Sequence, residues 1–539
     1  MPRPDPAPPP PLAEGFLAAE PEGVGAGVGA VARLRWLKLA ALAPTLLLLA
    51  TVLAPPLNHD VAAVLNFAER MVAGDRLYAD LIDVNPPLVF LLDLPAAAIG
   101  AWTPLDAVQA LLLCLVGFGA YAAWLTWRLL PGRDRAPIES ACLGFGLPVL
   151  MLGAGYDFGQ REHLMAMAAM PYLALAARRA EGLPTGRWLM LGAVLPAALG
   201  FALKPHFLAV PLLVEAVVLA RRGPARALRD PVPWAMAGIW LGYVLLVALA
   251  FPDYLGQVIP LVWAYYLDQG GFAWWQVILT ERLGTALMLL LPLAVVALVR
   301  PLGTLPLVIA AAAIGATMAA VVQHKGWTYH ALPVRLFAGL LAVVLAARWL
   351  DRTLAGPRAL RLAPAAAVVA AGGLFLHNLA GSEAPWRQIT WSWSRGGEVT
   401  ALLKREAYGE RLLVLSPDLF PVYPALNYAR AQSTLRTMNL WLLQGVYREC
   451  PRDEAGQPRF RETWEMARAE FFVYRTVAED FARAPPAAIL VAHDPGMVAC
   501  GREFDVLGYF RRHPAFAETL ERYRPAAEIE GYRLLRRED

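Results

Sequence analysis

Eleven apolar runs of roughly 17 residues or more decide what this chain can fold into. They fall near 37–57, 106–128, 137–154, 163–178, 187–203, 206–220, 231–251, 281–299, 302–321, 333–350 and 363–380. A backbone crossing lipid must satisfy its own hydrogen bonds, so runs of this length read as membrane helices. Composition agrees, with 58% hydrophobic and 17% charged residues, against about a quarter charged in soluble domains. The net charge of +4 is scattered over short loops, which argues against a nucleic-acid surface.

A twelfth run, 87–101, is short, opens with prolines and contains Asp93 and Pro95. The positive-inside rule settles its reading. If it spanned, the basic loops 128–135, 178–187, 221–229 and 351–361 would all lie outside. If it is an interfacial helix, all four lie in the cytoplasm together with Arg33, Arg35 and Lys38. The second solution predicts about eleven spans, an inner N-terminus and an outer C-terminus. It also gathers the connections with unusual chemistry on the outer face: 58–85, 156–163, 204–206, 252–282 and 323–330.

Residues 1–32 are rich in Pro, Ala and Gly and read as a disordered cytoplasmic tail. This tail lacks a basic stretch followed by a short apolar core and cleavage site, so the first run is expected to stay as an anchor. Residues 33–380 form the transmembrane domain. From 381 to 539 hydropathy falls. Strands are predicted at 411–415 and 487–491 with a closing pair at 527–537, and helices near 398–408, 433–447, 461–484 and 514–523. This is a small α/β domain. Cys450 and Cys500 lie in it, and an oxidising compartment permits a bridge between them; two free thiols fit equally well.

The block from Asn58 to Pro87 clusters carboxylates at a membrane exit, where ionisable groups are costly and usually functional. Asp60 begins an amphipathic stretch with apolar Val61, Val64, Leu65, Ala68 and Met71, which fits a helix lying at the interface. It reads either as a helix cap or as a general base toward an acceptor hydroxyl. Tyr78, Asp80, Asp83 and Asn85 follow. Asn85 before two prolines reads as a cap opening the 87–101 helix. Asp157 and Gln160 resemble a capping box for the next span, which leaves Arg161, Glu162 and His163 unexplained. A guanidinium suits a phosphate, and Glu162 is placed to orient it. Lys204 reads as a snorkelling lysine or a phosphate ligand. His324, Lys325 and His330, beside Trp327 and Tyr329, exceed an ordinary aromatic belt and suit phosphate or sugar binding, and Tyr266 sits in a loop whose aromatics suit a sugar ring or a polyprenyl chain. That loop also carries Asp268 and Gln269. The histidine pair His324 and His330 lacks dense carboxylate or Cys partners, so it is weak metal evidence.

Taken together, Asp60, the run Gly74-Asp75-Arg76-Leu77-Tyr78-Ala79-Asp80, the Pro86-Pro87-Leu88 opening and the late loop Lys325–His330 resemble the GT-C superfamily. The likeness is to its branch of protein O-mannosyltransferases and aminoarabinose transferases, over about 34–380. The resemblance implies an inverting glycosyltransferase that moves a hexose or pentose from a polyprenyl-phosphate donor to a glycan, lipid or protein acceptor. It would act at the outer face of the bacterial cytoplasmic membrane, with Asp60 as base. Two departures matter. The acidic pair of the family is here His59-Asp60-Val61, and the basic residue before the double proline is Asn85. Phosphate binding would then pass to Arg161, Lys204 and Lys325. The expected substrate-binding set is Asp83, Asn85, Tyr78, Arg161, Glu162, His163, Lys204, Tyr266, Lys325, Tyr329 and His330. No cofactor or metal is required by that scheme, although the sequence leaves a divalent metal open. The rivals are a polysaccharide polymerase or ligase using a lipid-linked donor, an inactive scaffold, and a secondary transporter. Transport predicts mid-span charges or matching broken helices, and no internal repeat is found.

Overall fold

A computed structural model describes residues 28–267, 271–300, 302–354, 356–494, 496–501, 504–529 and 531–538. The tail before residue 28, and Asp268 and Gln269, lie outside the described residues. Every one of the eleven apolar runs is a helix. Seven are long and apolar enough to cross a membrane: Ala32–Leu53 within α1 (Val28–Leu53), Ala107–Leu129, Pro231–Ala250, Glu281–Val299, Leu305–Val322, Thr328–Leu354 and Pro357–Ala380. The other four runs are shorter or more charged. They form α5 (Pro137–Leu152), α6 (Arg161–Ala180), α7 (Arg187–Ala202) and α8 (Ala209–Arg222). Helix α6 carries arginines at both ends and is almost wholly buried, so its neighbours shield it from the surroundings.

Between the first two spans lie α2 (His59–Val72) and α3 (Leu88–Trp102). Helix α3 folds back against α2, with Phe67 and Phe90 stacked 6.1 Å apart. It leads through a tight turn into α4 (Ala107–Leu129), whose cap Asp106 bears electrostatically on Glu69 of α2 and on Tyr428 of the C-terminal domain. Both ends of α3 therefore lie at the same end of the bundle, as the charge of the later loops required. Helix α2 differs from the expected flat interfacial helix with one apolar stripe. Ala62, Ala63, Leu65, Phe67 and Ala68 are all fully buried, because the C-terminal domain covers its other side.

That domain is built on a five-stranded sheet of order β2-β1-β3-β5-β4. Strands β1 (Arg411–Leu415), β2 (Gln432–Ser433) and β3 (Ala488–Ala492) are parallel, and β4 (Tyr523–Ile529) and β5 (Tyr532–Arg537) close it as an antiparallel pair. The apolar runs in β1 and β3 are the sheet's centre, buried on both faces. The helix expected over 433–447 is confined to Trp441–Val446, because β2 and an irregular stretch take up the residues before it. The helix expected over 461–484 begins at Arg468. A Cys450–Cys500 disulfide ties the domain's long excursion together. The domain grips α2 through backbone groups: Asn427 Nδ2 donates to the Ala62 carbonyl at 3.0 Å, Leu57 N donates to the Tyr428 hydroxyl at 2.8 Å, and Ile82 N donates to the Arg436 carbonyl at 2.5 Å.

Candidate active site

A cavity of about 790 Å³ lies between the C-terminal domain and the end of the helix bundle. Its membrane-domain wall comes from residues 58–60, 64, 83–85, 156, 157, 161, 266 and 325–329. Four of the five expected connections line it directly. The fifth, at Lys204, joins from behind, since Lys204 Nζ donates to Glu162 Oε1 at 2.6 Å and to Gln323 Oε1 at 2.9 Å.

Asp60 sits in the first turn of α2 but does not cap it. Asn58 is the cap, its Oδ1 accepting from Asp60 N at 2.9 Å. The Asp60 carboxylate is thus turned to other partners. Gln160 Nε2 donates to its Oδ2 at 2.8 Å, His59 Nε2 lies 3.5 Å from Oδ1, and Arg161 Nη2 lies 3.9 Å from Oδ2. Burial works against charge on Asp60, but His59, Arg161, Gln160 and Lys204 outweigh it and hold the carboxyl below its ordinary range.

The two capping assignments made nearby are corrected. The residue capping α3 is Pro87, with no side-chain bond. Asn85 instead closes a turn on Asp83, whose Oδ1 accepts from Asn85 N at 2.8 Å and Nδ2 at 2.7 Å, and its own Oδ1 accepts from Arg161. Burial pushes the Asp83 carboxyl up despite these bonds from Asn85. The capping box of Asp157 and Gln160 is absent, since α6 begins at Arg161 after a short 3₁₀ turn. Gln160 reaches Asn58 and Asp60, and Asp157 accepts from the Thr328 hydroxyl at 3.2 Å. Burial raises the Asp157 carboxyl to about 7.

Among the other expected residues, Tyr266, Lys325 and Tyr329 line the cavity. Lys325 Nζ donates to the Tyr266 carbonyl at 3.1 Å and sits over the Tyr266 and Trp327 rings. Tyr78 and His163 do not reach the cavity. Tyr78, at φ 67°, is a buried strut whose hydroxyl donates to the Asn85 carbonyl at 2.6 Å. His163 is fully buried and satisfied, Nδ1 accepting from Gly159 N at 3.2 Å and Nε2 facing the Met151 carbonyl at 2.9 Å. Glu162, Lys204 and His330 form a polar cluster behind the wall. Among the described residues, neither ring nitrogen of buried His330 has a hydrogen-bond partner, and nor does Glu162 Oε2.

Sequence reasoning missed the opposite wall. Asp418, Phe420 and Trp441 come from the C-terminal domain, and Glu383 and Arg387 from the linker into it. Arg387 pairs with Glu383 and stacks over Tyr156 at 4.0 Å. No local pattern marks these residues, because only the tertiary fold brings them near Asp60. Among the described residues no group of three His, Cys, Asp or Glu side chains is arranged to hold a metal.

The membrane bundle, the helix returning on α2 and the C-terminal sheet together make up the fold. Two solved structures share it: ArnT from Cupriavidus metallidurans bound to undecaprenyl phosphate, and the same protein in the apo state. The TM-scores are 0.55 and 0.56, each at 13% identity and covering 94% of this chain and 98% of that one. At that identity the likeness concerns the fold. No protein-family model matches the chain, and no curated protein matches its sequence.

Proposed function

We propose that this chain is an inverting membrane glycosyltransferase using a polyprenyl-phosphate sugar, with Asp60 as its base. The observation that carries the reading is the freedom of the Asp60 carboxylate from capping, with Arg161 beside it in a cavity walled by both domains. The neighbour of the same fold holds undecaprenyl phosphate, which supports a lipid-phosphate donor. In this scheme an acceptor hydroxyl attacks the anomeric carbon from the face opposite the phosphate. The new C–O bond forms as the sugar–phosphate bond breaks, the proton passes to Asp60, and polyprenyl phosphate leaves. A guanidinium offers five donors, and the only hydrogen bond made by Arg161 among the described residues is to Asn85. Its remaining donors, with Lys325, suit the charge that grows on the leaving phosphate. Lys204 adds positive charge from behind.

The reaction is assigned to the outer face of the bacterial cytoplasmic membrane, with the N-terminus inside and the C-terminal domain outside. The basic loops gathered at the far end of the bundle support this, and so does a disulfide in the C-terminal domain. Asp60→Asn should lower turnover of a radiolabelled polyprenyl-phosphate sugar by about 10³-fold or more while donor binding persists. Normal turnover in that variant would remove the base assignment.

A further inference from the structure

The wall facing Asp60 has its own unfilled chemistry. Five carboxylates line the cavity, Asp60, Asp83, Asp157, Glu383 and Asp418, against the cations Arg161, Lys325 and Arg387. Four of the carboxylates hold hydrogen bonds or ion pairs, to Gln160, Asn85, Thr328 and Arg387. Asp418 makes neither with its side chain among the described residues, and it stands exposed at the cavity. On the same wall Trp441 is 5% exposed, and its indole N–H has no acceptor among the described residues. Buried N–H groups are rarely left so. Asn439 pins this wall in place, donating to the Pro417 carbonyl at 2.5 Å and accepting from Trp441 N at 3.3 Å.

We infer that Asp418, Phe420 and Trp441 form an acceptor subsite for a neutral, polyhydroxylated glycan, a reading that rests on the proposed glycosyltransferase. A carboxylate accepts from sugar hydroxyls, an indole N–H donates to them, and an aromatic face covers the apolar side of a ring. The subsite adjoins the base: the His59 ring lies 6.2 Å from that of Phe420, while its Nε2 is 3.5 Å from Asp60. A sugar on Phe420 therefore sits in the same cavity that Asp60 lines. An acceptor bearing phosphate meets an excess of carboxylates and an unpaired Asp418, which disfavours it. The cation on this side, Arg387, is already matched by Glu383.

The test uses the full chain in lipid nanodiscs and saturation-transfer NMR titrations with neutral trisaccharides of glucose, mannose and galactose, each also in a terminally phosphorylated form. At least one neutral trisaccharide should bind, with its phosphorylated form about tenfold weaker or worse. Asp418→Asn and Trp441→Phe should each weaken the neutral ligand about five- to tenfold, the effect of one lost hydrogen bond. Undecaprenyl phosphate should bind both variants as it binds the native chain, which shows that the fold and donor side persist. The inference is overturned if no neutral trisaccharide binds, if the phosphorylated forms bind equally or better, or if both variants bind like the native chain. Failure of undecaprenyl phosphate to bind the native chain would instead strike the donor assignment, and the trisaccharide titrations would still decide the subsite.

Discussion

The two ends of the helix bundle handle buried charge in opposite ways. At the basic end, charges are closed into pairs: Arg179 bonds Glu215 at 2.7 Å and Asp230 at 2.8 Å, Arg222 shares Asp230, and Arg348 bonds Glu139 at 2.8 Å. Asp351 accepts from the first backbone N–H groups of α5, and Glu181 accepts from Thr304 N. At the cavity end the polar groups are incompletely matched. Arg161 stands 3.9 Å from Asp60, His330 stands 3.9 Å from Glu162, and His206, His330, Glu162 and Trp441 keep polar atoms without hydrogen-bond partners among the described residues. Paired charges fasten helices in a fixed register. Unmatched ones are tolerated where a ligand supplies the missing partner.

This contrast can be broken by substitution at either end. Arg179→Met should destabilise the fold by about 3–5 kcal/mol, because it strands buried Asp230 and Glu215, while turnover per folded molecule stays unchanged. Solvent-accessibility of Cys142 to alkylation during denaturant titration would report the loss. Arg161→Lys should do the reverse, lowering turnover by about 10²- to 10³-fold with little change in that titration. A loss of stability without loss of turnover in Arg161→Lys would refute the division. Asp157→Asn sharpens the comparison through pH. The folded state holds the Asp157 proton up to about pH 7, whereas the unfolded chain releases it near the ordinary carboxyl value. Native stability therefore declines as pH rises from about 4 to 7, and the amide variant lacks that decline. It should be more stable at pH 8, by up to about 4 kcal/mol, and equal to the native chain at pH 3. Asp60 has the opposite shift, so activity that depends on its charge should fall only below about pH 4 in a pH–rate profile. The smallest effect belongs to Tyr78→Phe, which loses one hydrogen bond to Asn85, about 1 kcal/mol. It should appear as a several-fold rise in the donor KM.

Much of this was legible in the sequence. Length and apolarity located all eleven runs, and loop charge alone identified α3 as a helix that returns to its own side. Asp60 was visible as a carboxylate at a membrane exit. The roles of its neighbours were not, because capping patterns are local while the actual partners are distant. Gln160 looked like a cap partner for Asp157, yet it bonds residues about 100 positions earlier. Asn85 looked like the start of a helix, yet its side chain bridges Asp83 and Arg161. Tyr78 and His163 have residue types that suit ligands, and only burial reveals them as supports. Asp418 and Trp441 carry no motif and sit about 360 residues or more from Asp60 in the chain.

The grip of the C-terminal domain on α2 has a consequence in time. The residues around Asp60 leave the ribosome well before the wall carrying Asp418 and Trp441, which is made about 360 residues later, and β5, which pairs with the central strand β3, follows later still. The site therefore has only one wall while the spans are being inserted. It acquires the second when the later strands are made and the sheet closes. A chain released short of β5 would carry Asp60 in the first wall and nothing opposite it.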